Sequence, residues 1–180
     1  YKRQIVRRYF VVNGFDGALT MLGLIIGFLM SAPAELSLLI NACLGAAIAL
    51  GVSGLSSAYI SESAETKRSL GKLENAMISD LKNSAHGEAA RLTPLLIALV
   101  NGLAPLIISM LIMLPLWLAQ QGISLPLSPL YAAILVALLL VFLLGVFLGR
   151  IAGISWLRSG FHTLLVAVMT AALIVLFADA

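Results

Sequence analysis

Phe10-Val-Val-Asn-Gly-Phe-Asp16-Gly-Ala-Leu-Thr20-Met-Leu-Gly-Leu-Ile-Ile-Gly-Phe-Leu-Met30-Ser-Ala32 is an apolar run with a single acid inside it. At 1.5 Å per residue such a run, coiled as a helix, crosses the roughly 30 Å hydrocarbon core of a bilayer. The same character recurs from Leu36 to Ile60, Leu92 to Ala119, Leu130 to Leu148 and Gly160 to Phe177. The reading that follows is an all-α integral membrane protein forming one membrane domain over residues 1–180. It has five transmembrane helices, at about 10–32, 36–60, 92–119, 130–148 and 160–177, with a cytoplasmic helical insert at 61–91 between the second and third.

Composition points the same way. The 180 residues are 61% hydrophobic and 11% charged, with a mean hydropathy of +1.07, whereas a soluble domain carries about 25% charged residues. Cys43 is the only cysteine and lies in an apolar stretch, which excludes an intrachain disulfide and a one-chain thiolate metal site. Tyr1 to Arg8 leads straight into a full span with no small-residue cleavage site, so the first segment does not read as a cleavable signal.

The basic residues set the orientation. Lys2, Arg3, Arg7 and Arg8 precede the first span; Lys67, Arg68, Lys72, Lys82 and Arg91 lie between the second and third; Arg150 and Arg158 lie between the fourth and fifth. The other two connectors, 31–35 and 120–129, carry none. Because cytoplasmic loops collect Lys and Arg, the N-terminus is expected in the cytoplasm and the C-terminus outside, the membrane being the cell membrane if the source is prokaryotic. The net charge of +3 is thereby explained by topology, and nucleic acid is not an expected partner.

Asp16 is the only acid within an apolar segment, about 9 Å past the start of its span. A carboxylate at that depth costs on the order of 3 kcal/mol and marks a functional hypothesis. All eleven Lys and Arg residues are in connectors, so a proton or a cation is its expected partner. The other reading is that Asn13-Gly-Phe-Asp-Gly17 interrupts the helix and Asp16 caps its second half. An unwound stretch exposing ligands at membrane depth would combine the two.

Glu62, Glu65, Glu74, Asp80 and Glu88 lie in the insert, with His86 beside them. Glu62 and Glu65, three apart, share a helix face, and oxygen ligands of that kind gather divalent cations, an imidazole favouring transition metals. The competing reading is a solvated amphipathic helix, since Leu70, Leu73, Met77 and Leu81 repeat at helical spacing among alternating charges. Gly23/Gly27 and Gly145/Gly149 have the spacing of close helix packing. Pro105 and Pro115 should bend the third span, where Met110 and Met113 read as packing. His162 sits at the cytoplasmic start of the fifth span. No Ser/His, His-Glu-x-x-His or Asp-pair constellation falls within the spans, so an enzyme is not expected.

Three motifs carry a family resemblance. Asn13-Gly-Phe-Asp-Gly-Ala-Leu-Thr20 resembles the Asn-Asp-Gly-Leu-Val-Thr signature of the vacuolar iron transporter family. Trp156-Leu-Arg-Ser-Gly-Phe-His-Thr-Leu-Leu165 resembles its Trp-Arg-Ser-Gly-Leu-Glu-Met-Leu motif, and Ala58-Tyr-Ile-Ser61 is similar to its Glu-Tyr-Leu-Ser. The resemblance implies a homodimer whose first spans line a central pathway, exporting Fe²⁺ and often Mn²⁺ from the cytosol in exchange for protons. It assigns the family's first-span aspartate to Asp16. The family's second-span methionine and glutamate fall on Gly54 and Ala58, and its fifth-span glutamate on His162.

The expected activity is therefore secondary transport of divalent metal, as an antiporter with H⁺ and without a tightly bound cofactor. Its expected metal-handling residues are Asp16, Glu62, Glu65, Glu74, Asp80 and Glu88. Ser53, Ser56 or Ser57 beside Asp16 would offer hard oxygen ligands, suiting Mn²⁺ or Mg²⁺ at least as well as Fe²⁺. The alternative is a non-transporting membrane scaffold or partner subunit that has lost the metal site.

Overall fold

A computed structural model describes residues 2–31, 35–77, 84–124 and 126–178. They form five helices: α1 Lys2–Met30, α2 Leu36–Met77, α3 Ala85–Gln120, α4 Pro129–Ala152 and α5 Trp156–Ala178. All five are long and apolar enough to cross a membrane, the architecture of an all-α membrane protein.

Local chemistry sets several of the ends. The Ser84 hydroxyl accepts a hydrogen bond from the Gly87 N–H at 3.4 Å, capping α3, and Glu88 follows in the first turn, where a carboxylate favours the helix dipole. Pro129 opens α4, where its missing N–H leaves no bond unmade. Gly153 closes α4 in the left-handed conformation, φ 68°, which a side chain would resist.

Two expectations change here. The helix does not break at Asn13–Gly17: α1 is continuous from Lys2 to Met30, and Asp16 caps nothing. With no water to satisfy an opened backbone, the helical bonds hold. The two glycines serve as contact points instead. A Cβ on Gly17 would lie 2.7 Å from the Pro105 carbonyl oxygen, and one on Gly14 would lie 3.3 Å from Leu144.

The insert also differs, because residues 61–77 are the last turns of a 42-residue α2 and residues 85–91 are the first turns of α3. The charged stretch prolongs both neighbouring helices instead of forming a separate one. Asp80, Leu81 and Lys82 lie outside the described residues, as do 32–34 of the connector between α1 and α2.

Helix α3 packs on α2, α1 and α4, while α5 packs on α4 and α1. Small residues set the closest approaches. Gly51 and Gly54 of α2 meet Gly102 and Asn101 of α3, a Cβ on Gly54 lying 2.8 Å from the Asn101 carbonyl oxygen. Gly145 and Gly149 of α4 receive Thr163 and Ser159 of α5, and the Thr163 hydroxyl donates to the Val141 carbonyl at 3.2 Å. Phe142 and Phe161 close the same seam edge to face at 5.6 Å between ring centres. The Gly23/Gly27 pair divides: a Cβ on Gly23 would touch Ile174 of α5 at 3.4 Å, whereas one on Gly27 would meet nothing within 4 Å among the described residues.

The main core joins Met21, Leu22 and Ile25 of α1 to Leu39 of α2, Ile112, Met113 and Leu116 of α3, and Val141 of α4. Met113 is fully buried there, as its reading as packing requires. The outer faces carry exposed Leu, Ile, Val and Phe on α2, α3, α4 and α5, a surface suited to lipid.

Candidate functional site

Tyr9, Asn13, Asp16 and Thr20 follow one another at helical spacing and share one face of α1. This face holds the polar groups of the first span. The Thr20 hydroxyl turns back to the Asp16 carbonyl at 2.6 Å, so it is satisfied within the helix. The Asp16 carboxylate is exposed on the surface of this chain, and among the described residues no hydrogen bond or ion pair reaches it.

Asn13 is anchored on both sides. Its Nδ2 donates to the Tyr9 carbonyl at 2.8 Å and also to Oδ1 of Asn101 on α3. Asn101, 8% exposed, in turn donates its own Nδ2 to the Gly54 carbonyl of α2 at 2.8 Å. The two terminal acceptors fix both amides, since a carbonyl can only accept. Gly54 C=O requires the donor end of Asn101, which turns Asn101 Oδ1 toward α1 and makes Asn13 the donor there. Among the described residues Asn13 Oδ1 is left without a donor, three residues from Asp16, at a spacing that puts Cβ atoms about 5–6 Å apart.

Nearer the start of α1, the Tyr9 hydroxyl donates to Oε1 of Glu62 at 2.9 Å. Glu62 is half-buried and ties the extension of α2 to α1. Glu65 is exposed on the same extension, Glu74 is half-buried two turns further on, and Glu88 is exposed on the first turn of α3. His86 lies in that same first turn, and Asp80 lies outside the described residues. Among the described residues no three of His, Cys, Asp and Glu come together as a metal site.

Gly54 and Ala58 face α3. Ala58 is buried against Ile97 and Ala98 with Tyr9 alongside, and the Asn101 backbone fills the space a side chain at position 54 would need. Position 54 therefore has no room for a methionine ligand, and position 58 is a buried packing site. Ser53, Ser56 and Ser57 are exposed on α2, and the Ser57 hydroxyl reaches the Gly54 carbonyl at 3.4 Å. His162 is exposed on α5.

Tyr9 and Asn101 were not among the residues singled out in the sequence. Asn101 had a signal: it is the only amide side chain between Leu92 and Ala119, and a polar group inside a span pairs with another one. Tyr9 had none, since an aromatic residue near a span end is ordinary interfacial chemistry.

No family model matches the chain, and no solved structure matches it. The uncharacterized protein MJ0645 of Methanocaldococcus jannaschii is 32% identical over 156 residues, covering 85% of this chain and 78% of that protein.

Proposed function

For a chain that belongs to the family of the Methanocaldococcus jannaschii protein MJ0645, we propose secondary transport of a divalent transition-metal ion, Fe²⁺ or Mn²⁺, out of the cytosol in exchange for protons. The observation that carries it is the unpartnered Asp16 carboxylate on an apolar helix, with the open Asn13 Oδ1 on the same face. A carboxylate on an outer face of a membrane helix needs a counter-charge. A second copy of the chain, apposed through α1, brings a second carboxylate, and two carboxylates match the charge of one divalent ion.

In this reading Asp16 alternately holds the metal ion and protons, and Asn13 Oδ1 supplies a neutral oxygen beside it. Both are hard ligands, favouring Mn²⁺ as much as Fe²⁺. Asn13 is held in place by Asn101, which is itself held by the α2 backbone. Glu62, Glu65, Glu74, Asp80 and Glu88 collect the ion at the cytoplasmic side, with the N-terminus in the cytoplasm and the C-terminus outside.

The test is flux in sealed liposomes across an imposed pH gradient, comparing Fe²⁺, Mn²⁺, Co²⁺ and Mg²⁺ for the wild type and Asp16→Asn. Saturable, pH-dependent flux abolished by the substitution supports the transporter. Absence of flux for every ion in folded protein overturns it. The second reading, a non-transporting scaffold or partner subunit, is favoured by the packing of Gly54 and Ala58 against α3, and it predicts that last outcome.

A further inference from the structure

Where α2 and α3 leave their apolar stretches, a cavity of about 400 Å³ opens between them, lined by Tyr59, Ser63 and Lys67 of α2 and by Gly87 and Arg91 of α3. Tyr59, Ser63 and Lys67 stand one turn apart on one helix face, and so do Gly87 and Arg91 on theirs. The cavity therefore combines two cations with two hydroxyl groups, and no carboxylate is among its lining residues. Lys67 and Arg91 carry no ion pair among the described residues. Two unneutralised cations facing one concave space with hydroxyl donors beside them are the chemistry of a phosphate site.

The surroundings narrow the source of that phosphate. Arg91 continues down its helix face into Leu95 and Leu99, 47% and 38% exposed. Tyr59 continues into Leu55 and Val52, 41% and 60% exposed. The cationic cavity thus caps a strip of exposed apolar side chains from both helices. A free phosphate ion has no use for such a strip, whereas a phospholipid presents a charged head and two apolar chains in that order.

We propose that this cavity binds the phosphate headgroup of an anionic phospholipid, its acyl chains lying along Val52, Leu55, Leu95 and Leu99. The proposal rests on reading α2 and α3 as membrane spans and is independent of metal transport. Each cation near an anionic membrane surface contributes about a fivefold preference.

The experiment uses the full chain in phosphatidylcholine liposomes containing spin-labelled phosphatidic acid or spin-labelled phosphatidylcholine, read as the motionally restricted fraction of label. The wild type is expected to favour phosphatidic acid at least fivefold. Lys67→Gln with Arg91→Gln should bring that preference close to one, and Ser63→Glu, which sets a carboxylate in the cavity, should do the same with both cations retained. Arg68→Gln with Lys72→Gln removes as many charges from outside the cavity and should leave the preference intact. Equal loss in the two double variants would reduce the effect to overall charge and overturn the site. Displacement of the labelled lipid by millimolar inorganic phosphate would assign the cavity to a soluble anion and overturn the lipid. Metal flux measured on the same liposomes keeps this outcome separate from that of Asp16.

Discussion

Asn13 on α1 and Asn101 on α3 share a hydrogen bond between their side-chain amides, and the orientation of that bond is dictated from α2 by the Gly54 carbonyl. Three helices are thus joined at one level by a chain of acceptors and donors that has one consistent direction. It ends on the free oxygen beside Asp16.

Replacing Asn101 with Leu leaves the Gly54 carbonyl and the Asn13 amide without that partner in an apolar setting. The expected loss is about 1–2 kcal/mol, read by titrating purified protein from mild detergent into SDS. Transport should fall as well, since Asn13 then loses its anchor. An unchanged unfolding midpoint would contradict the network.

The Asp16 carboxylate is exposed and has no partner among the described residues, so Asp16→Asn should leave stability within about 0.5 kcal/mol of wild type while removing flux. A structural aspartate would show the reverse pattern, with destabilisation and no specific effect on transport. The same SDS titration and the liposome assay separate the two.

Position 54 offers a converse test. Gly54→Met restores the residue type of the vacuolar iron transporter pattern, but its Cβ would sit 2.8 Å from the Asn101 carbonyl oxygen. Overpacking of that kind costs about 1–3 kcal/mol. The variant is expected to be less stable without gaining affinity for Fe²⁺, measured by metal titration of the purified protein.

The bond from Tyr9 to Glu62 joins α1 to the extension of α2. Tyr9→Phe and Glu62→Leu should each destabilise, and the double variant should lose less than the sum. A coupling of about 0.5–1.5 kcal/mol is expected. Zero coupling in the double-mutant cycle would mean that the two side chains do not interact in the bilayer.

Gly27 has open space where its Cβ would be, and it lies on the same face of α1 as Asp16, eleven residues on. Gly27→Leu should therefore leave the single chain folded. If two copies meet through this face, the substitution should separate them, seen as a halved mass in multi-angle light scattering of the detergent complex.

The five apolar helices were legible because the hydrocarbon thickness imposes a length and a composition that no connector imitates. The end of α2 was not, since the charged residues after Ile60 keep helical spacing and nothing in their order separates a continuing helix from a new one. Asn13-Gly-Phe-Asp-Gly17 admitted a break as one of two readings because those residue types favour turns in water. In an apolar surrounding the backbone keeps its own bonds, and the glycines become the places where Pro105 and Leu144 approach. The acid of the site was visible at once. Its neighbouring oxygen was not, because the direction of an amide depends on which carbonyls surround it.

Helix α2 runs 42 residues without interruption, roughly 63 Å at helical rise and about twice the hydrocarbon thickness. The 17 residues after Ile60 carry the rod past its apolar stretch, and its closest crossing with α3, Gly51–Gly102, lies on the other side of that boundary. A tilt of about 5° there displaces the tip at Met77 by roughly 3 Å. A rigid tilt about that crossing would therefore be amplified at Met77, where an attached probe could read it.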